Sequence, residues 1–457
     1  MKRSGITLLS LMALGSVLVA AQTPRGRSAQ APQTGAGQPP SSKPLEIYVV
    51  DTEGGKADLW ITPSGQTLLI DAGNPGGRDT DRIMEVMAAA GVKQIDYLLL
   101  THYHVDHVGG VAELVKRLPP ISHFLDHGPT SEDGVDGHQR EQVAGFQAAY
   151  AEIYGKAQHT VLKPGDRIPL PGLDWRIVTA AAKVTKTALP GGGKPNPECA
   201  DAQRQPEARD PDNGYSVGSV IGFGPSFRAL DFGDLTRDIE YDLMCPTNPI
   251  GLVDLFFPAN HGSANSNSPL LVHGIQPRVA VVQNSAGKGA SVDMFQALRS
   301  TPGFQDVWEL HWANGAGVEH NSPGVFIANG VDPAVIAAAL TAPPRGRGTG
   351  TTGTTGTTGT TGTTGTTGTT GTTGTTAPAV AAAPAVGAAP APGQAPASAG
   401  AVAPGGPAGP GGGGRGPGGG AAAAHAPAYW IKIAVQINGT FTVTNSRNGF
   451  SKTYTKR

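Results

Sequence analysis

Three histidines and one aspartate fall within six positions of the stretch Thr101-His102-Tyr103-His104-Val105-Asp106-His107-Val108-Gly109-Gly110. Side chains of these types need polar partners once they leave water, and a divalent cation satisfies all four together. Extended residues alternate in direction, so His102 and His104 can point the same way and offer two imidazoles to one ion. Asp106 and His107 fall just past the strand, where a turn can swing them toward a second ion beside the first. Two ions about 3.5–4 Å apart share a hydroxide at neutral pH and polarise the bond it attacks. The chemistry implied is metal-assisted hydrolysis. A polar loop with surplus histidines is the bland alternative, and the density of ligand types argues against it.

The elements around the motif alternate between strand and helix. The apolar run 95–100 reads as a buried strand leading into it, bounded by Gly91 and by the Gly109-Gly110 pair. Upstream, 45–61 reads as a strand, a Gly54-Gly55 turn and a second strand, 67–71 as a third, and 79–91 as a helix. Downstream come a helix at 111–118, a strand at 121–125, the loop Asp126-His127-Gly128 and a helix at 139–156. Then 161–168 and 174–180 read as strands of a second sheet. Residues 183–213 lack a period and read as a lid or binding loop. A hairpin over 215–223 and 226–231 leads to Gly233-Asp234. The strand 253–257 ends at Pro258-Ala259-Asn260-His261-Gly262-Ser263, and 279–283 is the last clear strand before a helix at 292–299.

The string His102-x-His104-x-Asp106-His107 resembles the HxHxDH signature of the metallo-β-lactamase superfamily. Residues 48–61 and 68–73 resemble the paired opening strands of that fold. Ala229-Leu230-Asp231-Phe232-Gly233-Asp234 resembles its strand-Gly-Asp element, and His261-Gly262-Ser263 its later histidine element. The resemblance extends over residues 45–330 and is nearest to the branch that includes the hydrolase domain of competence protein ComEC. It implies an α/β (α+β) fold, a four-layer αββα sandwich with a metal site at one edge of the paired sheets. By the same resemblance, His102 and His104 hold the first ion and Asp106, His107 and His261 the second, with Asp234 bridging them. Asp106 and Asp234 then orient and stabilise the attacking nucleophile. Asp71 supports the metal loop from behind; on the residues alone it caps a turn equally well.

One position departs from the family pattern. The superfamily usually supplies a histidine before the Gly-Asp element, and here Pro211-Asp212-Asn213-Gly214-Tyr215-Ser216 has none. The ComEC branch resembles this arrangement, with an Asn-x-x-Ser-like stretch. Asp212, Asn213, His127 from the earlier loop, or water remain open as the first ion's third ligand. Zinc, as one or two ions, is the expected metal, and an oxygen ligand keeps manganese in play. His311 and His320 are possible pocket residues, while His123, His138, His159, His273 and His425 read as ordinary surface or core residues.

The termini and composition set the organisation. Met1-Lys2-Arg3 precedes the apolar stretch 6–19 and a small-residue end at Ala21, the pattern of a secretory signal. The expectation is a signal peptide over 1–21, a disordered tether over 22–43 and a metallo-β-lactamase-fold domain over 44–340. A periplasmic or secreted protein without a membrane span after cleavage follows. Gly-Thr-Thr repeats and then Ala, Pro and Gly fill a linker over 341–427, which contains most of the late excess among 66 Gly and 39 Pro. Residues 428–457 carry Asn438-Gly439 between two alternating runs, a β-hairpin expected to dock on the main domain because a lone hairpin is marginal in water. The formal charge of -1 gives no overall attraction for nucleic acid. Cys199 and Cys245 make no disulfide framework; one bridge or two separate thiols both fit.

The reading is an exported metal-dependent hydrolase acting on an ester, lactone, amide or phosphodiester, with a small-molecule or phosphodiester substrate. A ComEC-like extracellular nuclease is one alternative. A non-catalytic exported binding module on the same fold, suggested by the missing third ligand, is another.

Overall fold

Along the first strand, Ile47 and Val49 pack to one side and Tyr48 to the other, all buried, which is the pattern of a sheet covered on both faces. The computed structural model describes residues 43–130, 137–155, 157–206, 211–331 and 425–457. The sequence expectations for 1–42 and for 332–424, the signal, the tether and most of the linker, lie outside them, as does the side chain of His138.

The first half of the chain lays down β1 (Leu45–Val49), β2 (Asp58–Ile61) and β3 (Thr67–Ile70) as an antiparallel meander. Next, α1 (Arg78–Ala90) leads to β4 (Tyr97–Leu99), α2 (Val105–Val108) and α3 (Val111–Arg117) lead to β5 (His123–Asp126), and α4 (Gly137–Tyr154) leads to β6 (Gln158–Val161). Strands β3 to β6 pair in parallel. The chain then crosses over. It forms β7 (Arg167–Ile168), β8 (Leu173–Ala180), β9 (Lys183–Val184), β10 (Lys194–Pro195), α5 (Pro211–Gly214), β11 (Gly218–Phe223) and β12 (Phe227–Asp231). After α6 (Arg237–Met244), β13 (Thr247–Asn248) pairs with β10. The rest is β14 (Leu255–Phe257), α7 (Pro269–Ile275), β15 (Val279–Val282), α8 (Val292–Arg299), β16 (Asp306–His311), α9 (Gly317–His320) and β17 (Ile327–Asn329). The second sheet runs β17-β16-β15-β14-β12-β11-β8-β7, with β9 on β8.

The chain's last segment returns to the first sheet as β18 (Ile431–Val435), β19 (Phe441–Asn445) and β20 (Ser451–Tyr454). β18 pairs antiparallel with β1 from Leu45 against Val435 to Val49 against Ile431, so the order is β20-β19-β18-β1-β2-β3-β4-β5-β6. Where the sequence suggests a two-stranded hairpin, there is a third strand. Tyr454 on it takes the Trp308 Nε1–H from the opposite sheet at 2.9 Å.

Three apolar layers separate four layers of structure. Between the sheets, Ile47, Trp60 and Ile70 meet Trp175, Ile221 and Phe257, with the Trp60 and Trp175 rings edge to face at 5.0 Å. Outside the first sheet, Leu69 and Leu98 pack on Ile83, Met87 and Leu114 of α1 and α3. Outside the second, Leu230 and Phe256 pack on helices α6, α7 and α8 through Leu243, Leu271 and Phe295. This is the αββα sandwich. Among the described residues, no helix is long and apolar enough to cross a membrane.

Several elements differ from the sequence reading. The run 161–168 is not one strand: Lys163-Pro164-Gly165-Asp166 turns, with Asp166 N–H on Lys163 O, and its two ends belong to different sheets. Residues 183–206 are not structureless, because β9, β10, a turn of 3-10 helix over Pro197–Ala200 and the Cys199–Cys245 disulfide pin them. Strand 279–283 is not the last: β16 and β17 extend the sheet beyond it.

Candidate metal centre

The parallel strands β3, β4, β12, β14 and β15 all end at one edge, where open α/β sheets gather their functional groups. Each exit carries one piece of the centre. β3 runs into Asp71, β4 into Thr101 to His107, β12 into Asp234, β14 into His261 and β15 into Gln283. His102 and His104 remain on the extended exit of β4, whereas Asp106 and His107 sit on the single turn of α2. Two glycines allow the close packing this needs. A Cβ at Gly110 would lie 2.1 Å from Ala72 O, and one at Gly233 2.6 Å from Thr101 Cβ.

His102, His104 and Asp212 form one group whose ligand atoms lie within 4.8 Å of one another; His102, His107 and Asp234 form a second, and Asp106, His107 and His261 a third. The six residues expected from the motif resemblance therefore converge. His102 Nε2 is 2.9 Å from His104 Nδ1. His107 Nε2 faces Asp234 Oδ1 at 3.4 Å and Asp106 Oδ2 at 3.5 Å, and His261 Nε2 faces Asp106 Oδ2 at 3.2 Å and Asp234 Oδ2 at 3.3 Å. Asp234 thus turns one oxygen to each imidazole.

Hydrogen bonds behind the imidazoles decide which nitrogen is left for a ligand. Asp71 Oδ2 lies 2.8 Å from His107 Nδ1, and a carboxylate only accepts, so Nδ1 carries a proton and Nε2 is the nitrogen turned toward Asp106 and Asp234. Gln283 O does the same for His261 Nδ1 at 3.2 Å. Thr101 Oγ1 gives its own proton to Asp71 at 2.7 Å and so accepts from His102 Nδ1 at 3.1 Å. Asp71, held also by Thr101 N–H at 2.8 Å, is the support of this loop, and its turn conformation at φ 58° serves that end.

A divalent cation fits these residues on two grounds. His107 Nε2, Asp234 Oδ1 and His261 Nε2 are buried and without a hydrogen-bond partner, and each of these lone-pair donors faces another. Only positive charge between them satisfies the set. The electrostatics agree. Burial opposes charge on His107, yet Asp234, Asp106 and Asp71 outweigh it and push its pKa up to about 10. Burial would raise the carboxyls of Asp106 and Asp234, but His107 and His261 hold both well below the usual range. Burial, with His107 and His104 beside it, keeps His102 neutral.

Asp212 groups with His102 and His104 where the family pattern has a histidine, and His127 is not in that group. Tyr103 N–H reaches Asp212 Oδ2 at 2.8 Å and Thr130 Oγ1 reaches Oδ1 at 2.5 Å, which hold the carboxylate toward His102 and His104. His127 is buried behind it, Nε2 3.8 Å from Asp212 Oδ1. His311 bonds Asp51 at 2.7 Å and, with Asp51 and His425, makes a further group of possible metal-ligating residues apart from these three, whereas His320 Nδ1 donates to Ala316 O at 3.0 Å. Lys288 was absent from the sequence reading. Its ammonium lies 2.5 Å from Asp106 Oδ2 and 2.8 Å from Gly54 O, and no motif announces it.

The family model for the metallo-β-lactamase superfamily matches residues 53–180 of this chain. The chain is similar to a hydroxyacylglutathione hydrolase of Aeromonas salmonicida (strain A449), 36% identical over 81 residues, 18% of this chain and 28% of that one. It is also similar to ComE operon protein 3 of Bacillus subtilis (strain 168), 27% identical over 209 residues, 45% of this chain and 22% of that one. The chain spans under a third of the length of these curated relatives. Among solved structures, a diphosphatase from the PhnP family is 14% identical with a TM-score of 0.32, covering 57% of this chain and 93% of that one.

Proposed function

We propose that this protein is an exported metal-dependent hydrolase. The observation that carries the reading is the set of buried, unpartnered donors of His107, Asp234 and His261 turned toward one another. His102, His104 and Asp212 would hold one cation, Asp106, His107 and His261 a second, and Asp234 would lie between them. Divalent ions at such positions supply a nucleophile from water at neutral pH and polarise the bond under attack.

The chain's own residues do the rest. Asp71, Thr101 and Gln283 fix the ring orientations and protons of His107, His102 and His261. Asp106 and Asp234 are the acceptors that orient the nucleophile's proton. Zinc is the expected metal, and Asp212, an oxygen donor replacing an imidazole, favours a harder ion such as manganese at the first position. Asp212, grouped with His102 and His104, supports a complete first position and so weighs against a non-catalytic binding module. Export rests on the basic and apolar residues of 1–21, and the Cys199–Cys245 bridge suits an oxidising compartment.

A ComEC-like nuclease is the second reading, favoured by the 209-residue similarity to ComE operon protein 3. Metal analysis of the purified protein, followed by ester, lactone, amide and phosphodiester substrates, tests both. Turnover lost in His104→Ala is the expected result, and cleavage of the phosphodiester alone selects the nuclease. Full metal occupancy with no turnover on any class would overturn hydrolysis.

A further inference from the structure

The two cation positions draw on both sheets, so something must fix the spacing between the exits of β4 and those of β12 and β14. One side chain is placed to do so. Lys56, in the turn between β1 and β2, is buried with its side chain 5% exposed, and its Nζ lies 2.7 Å from Asp58 Oδ2 and 2.8 Å from Asp231 Oδ2. Asp58 belongs to β2 of the first sheet and Asp231 to β12 of the second. The ammonium is a bridge across the sandwich.

Each end of that bridge runs on to the centre. Asp231 Oδ1 accepts the N–H of Gly233 at 3.0 Å, one residue before Asp234. Asp58 Oδ2 also accepts from Gln283 Nε2 at 2.8 Å, and Gln283 O is the acceptor for His261 Nδ1. The backbone of Lys56 itself donates to Asp106 O at 3.1 Å and accepts from Gly73 N–H at 2.9 Å. Asp106, Asp234 and His261 are therefore all linked to one residue.

We infer that Lys56 is a positioning residue that sets the second cation position by locking the two sheets at their ligand-bearing edge. It touches neither cation nor substrate. Without this ammonium the buried Asp58 and Asp231 lose the cation that ties them together, and the edge loosens at the second position first. The raised pKa of Asp58, about 6, has burial as its main cause, followed by the counteracting Lys56, and is consistent with a carboxylate that needs this partner.

This inference rests on the reading of the centre as a pair of cation positions. It is tested by titrating the full chain with zinc by calorimetry and with cobalt by visible absorption, in the wild type, Lys56→Met and Gln283→Leu. Gln283→Leu cuts one arm of the lock without stranding a charge, so it carries the test if Lys56→Met does not fold. The wild type should bind in two steps. In the folded variants the first step should keep its affinity and cobalt spectrum, while the second weakens roughly 10–100-fold for Lys56→Met and severalfold for Gln283→Leu. Equal weakening of both steps, or an unchanged second step, overturns the positioning role. A wild type that takes up no cation overturns instead the reading beneath it.

Discussion

Asp71 Oδ2 stands 2.8 Å from His107 Nδ1, with both side chains wholly buried. An amide in place of this carboxylate can turn its N–H toward the ring, which conflicts with the Nδ1 proton and moves that proton to Nε2. Asn tolerates the left-handed backbone at position 71, so the fold should survive. Asp71→Asn is expected to weaken metal retention roughly 10–100-fold, read as metal content after dialysis, with the metal-free protein melting lower because the amide cannot accept all three hydrogen bonds that the carboxylate takes.

In the proposed centre, Asp212 would give the first position its oxygen donor. Asp212→His restores an imidazole, and the variant should shift from manganese toward zinc when both are offered, as softer nitrogen donors do. Asp212→Ala should lose that position altogether. Metal analysis of the proteins reconstituted in an equimolar mixture gives the answer, and an unchanged ratio in Asp212→His would count against a ligand role.

Glu309 supplies a pH prediction away from the centre. It is fully buried on β16, with Oε1 accepting Ser322 N–H at 2.7 Å and Oε2 unpartnered. Burial pushes its carboxyl up to about 8, hydrogen bonds from Ser322 opposing. The unfolded chain ionises this group near pH 4.5 while the folded chain holds the proton, so stability falls as pH rises between those values. Glu309→Gln should therefore gain on the wild type progressively from pH 5 to pH 8. Melting curves across that range check it, and a parallel pair of curves would refute it.

The last strands should be indispensable although they follow the low-complexity tract. Ile433, Val435, Phe441, Val443 and Tyr454 are buried between the sheets. At roughly 1.5–3 kcal/mol each, their burial rivals the total stability of an ordinary domain. Deleting 428–457 should give insoluble protein. Tyr429 N–H bonds Asn329 Oδ1 at 2.9 Å, so the two ends meet. Replacing 332–424 by a short Gly-Ser linker should leave melting within a few degrees of the full chain.

What was legible in the chain was local. His102 to His107 disclose themselves because period-two spacing and ligand type coincide in one stretch. Asp234 and His261 are each a single residue in a common dipeptide, and only their order in the family pattern marks them. Asp212 was merely one of several options, since a lone Asp-Asn pair has no spacing to read. Lys56 was invisible, because its partners lie 175 residues away at Asp231 and at Asp58 two positions on. Helix α7 had a readable start in Ser268, which caps Leu271 N–H, and Pro269. Strand β16 was hidden by Glu309, a buried carboxyl in an otherwise apolar run.

The two-sheet origin of the centre also orders events in time. A ribosome that has released β4 has delivered the imidazoles of the motif but neither Asp234 nor His261, which arrive more than a hundred residues later from a different sheet. No early fragment holds every residue of the proposed cage, so full capture of a cation would wait until both halves of the sandwich have closed.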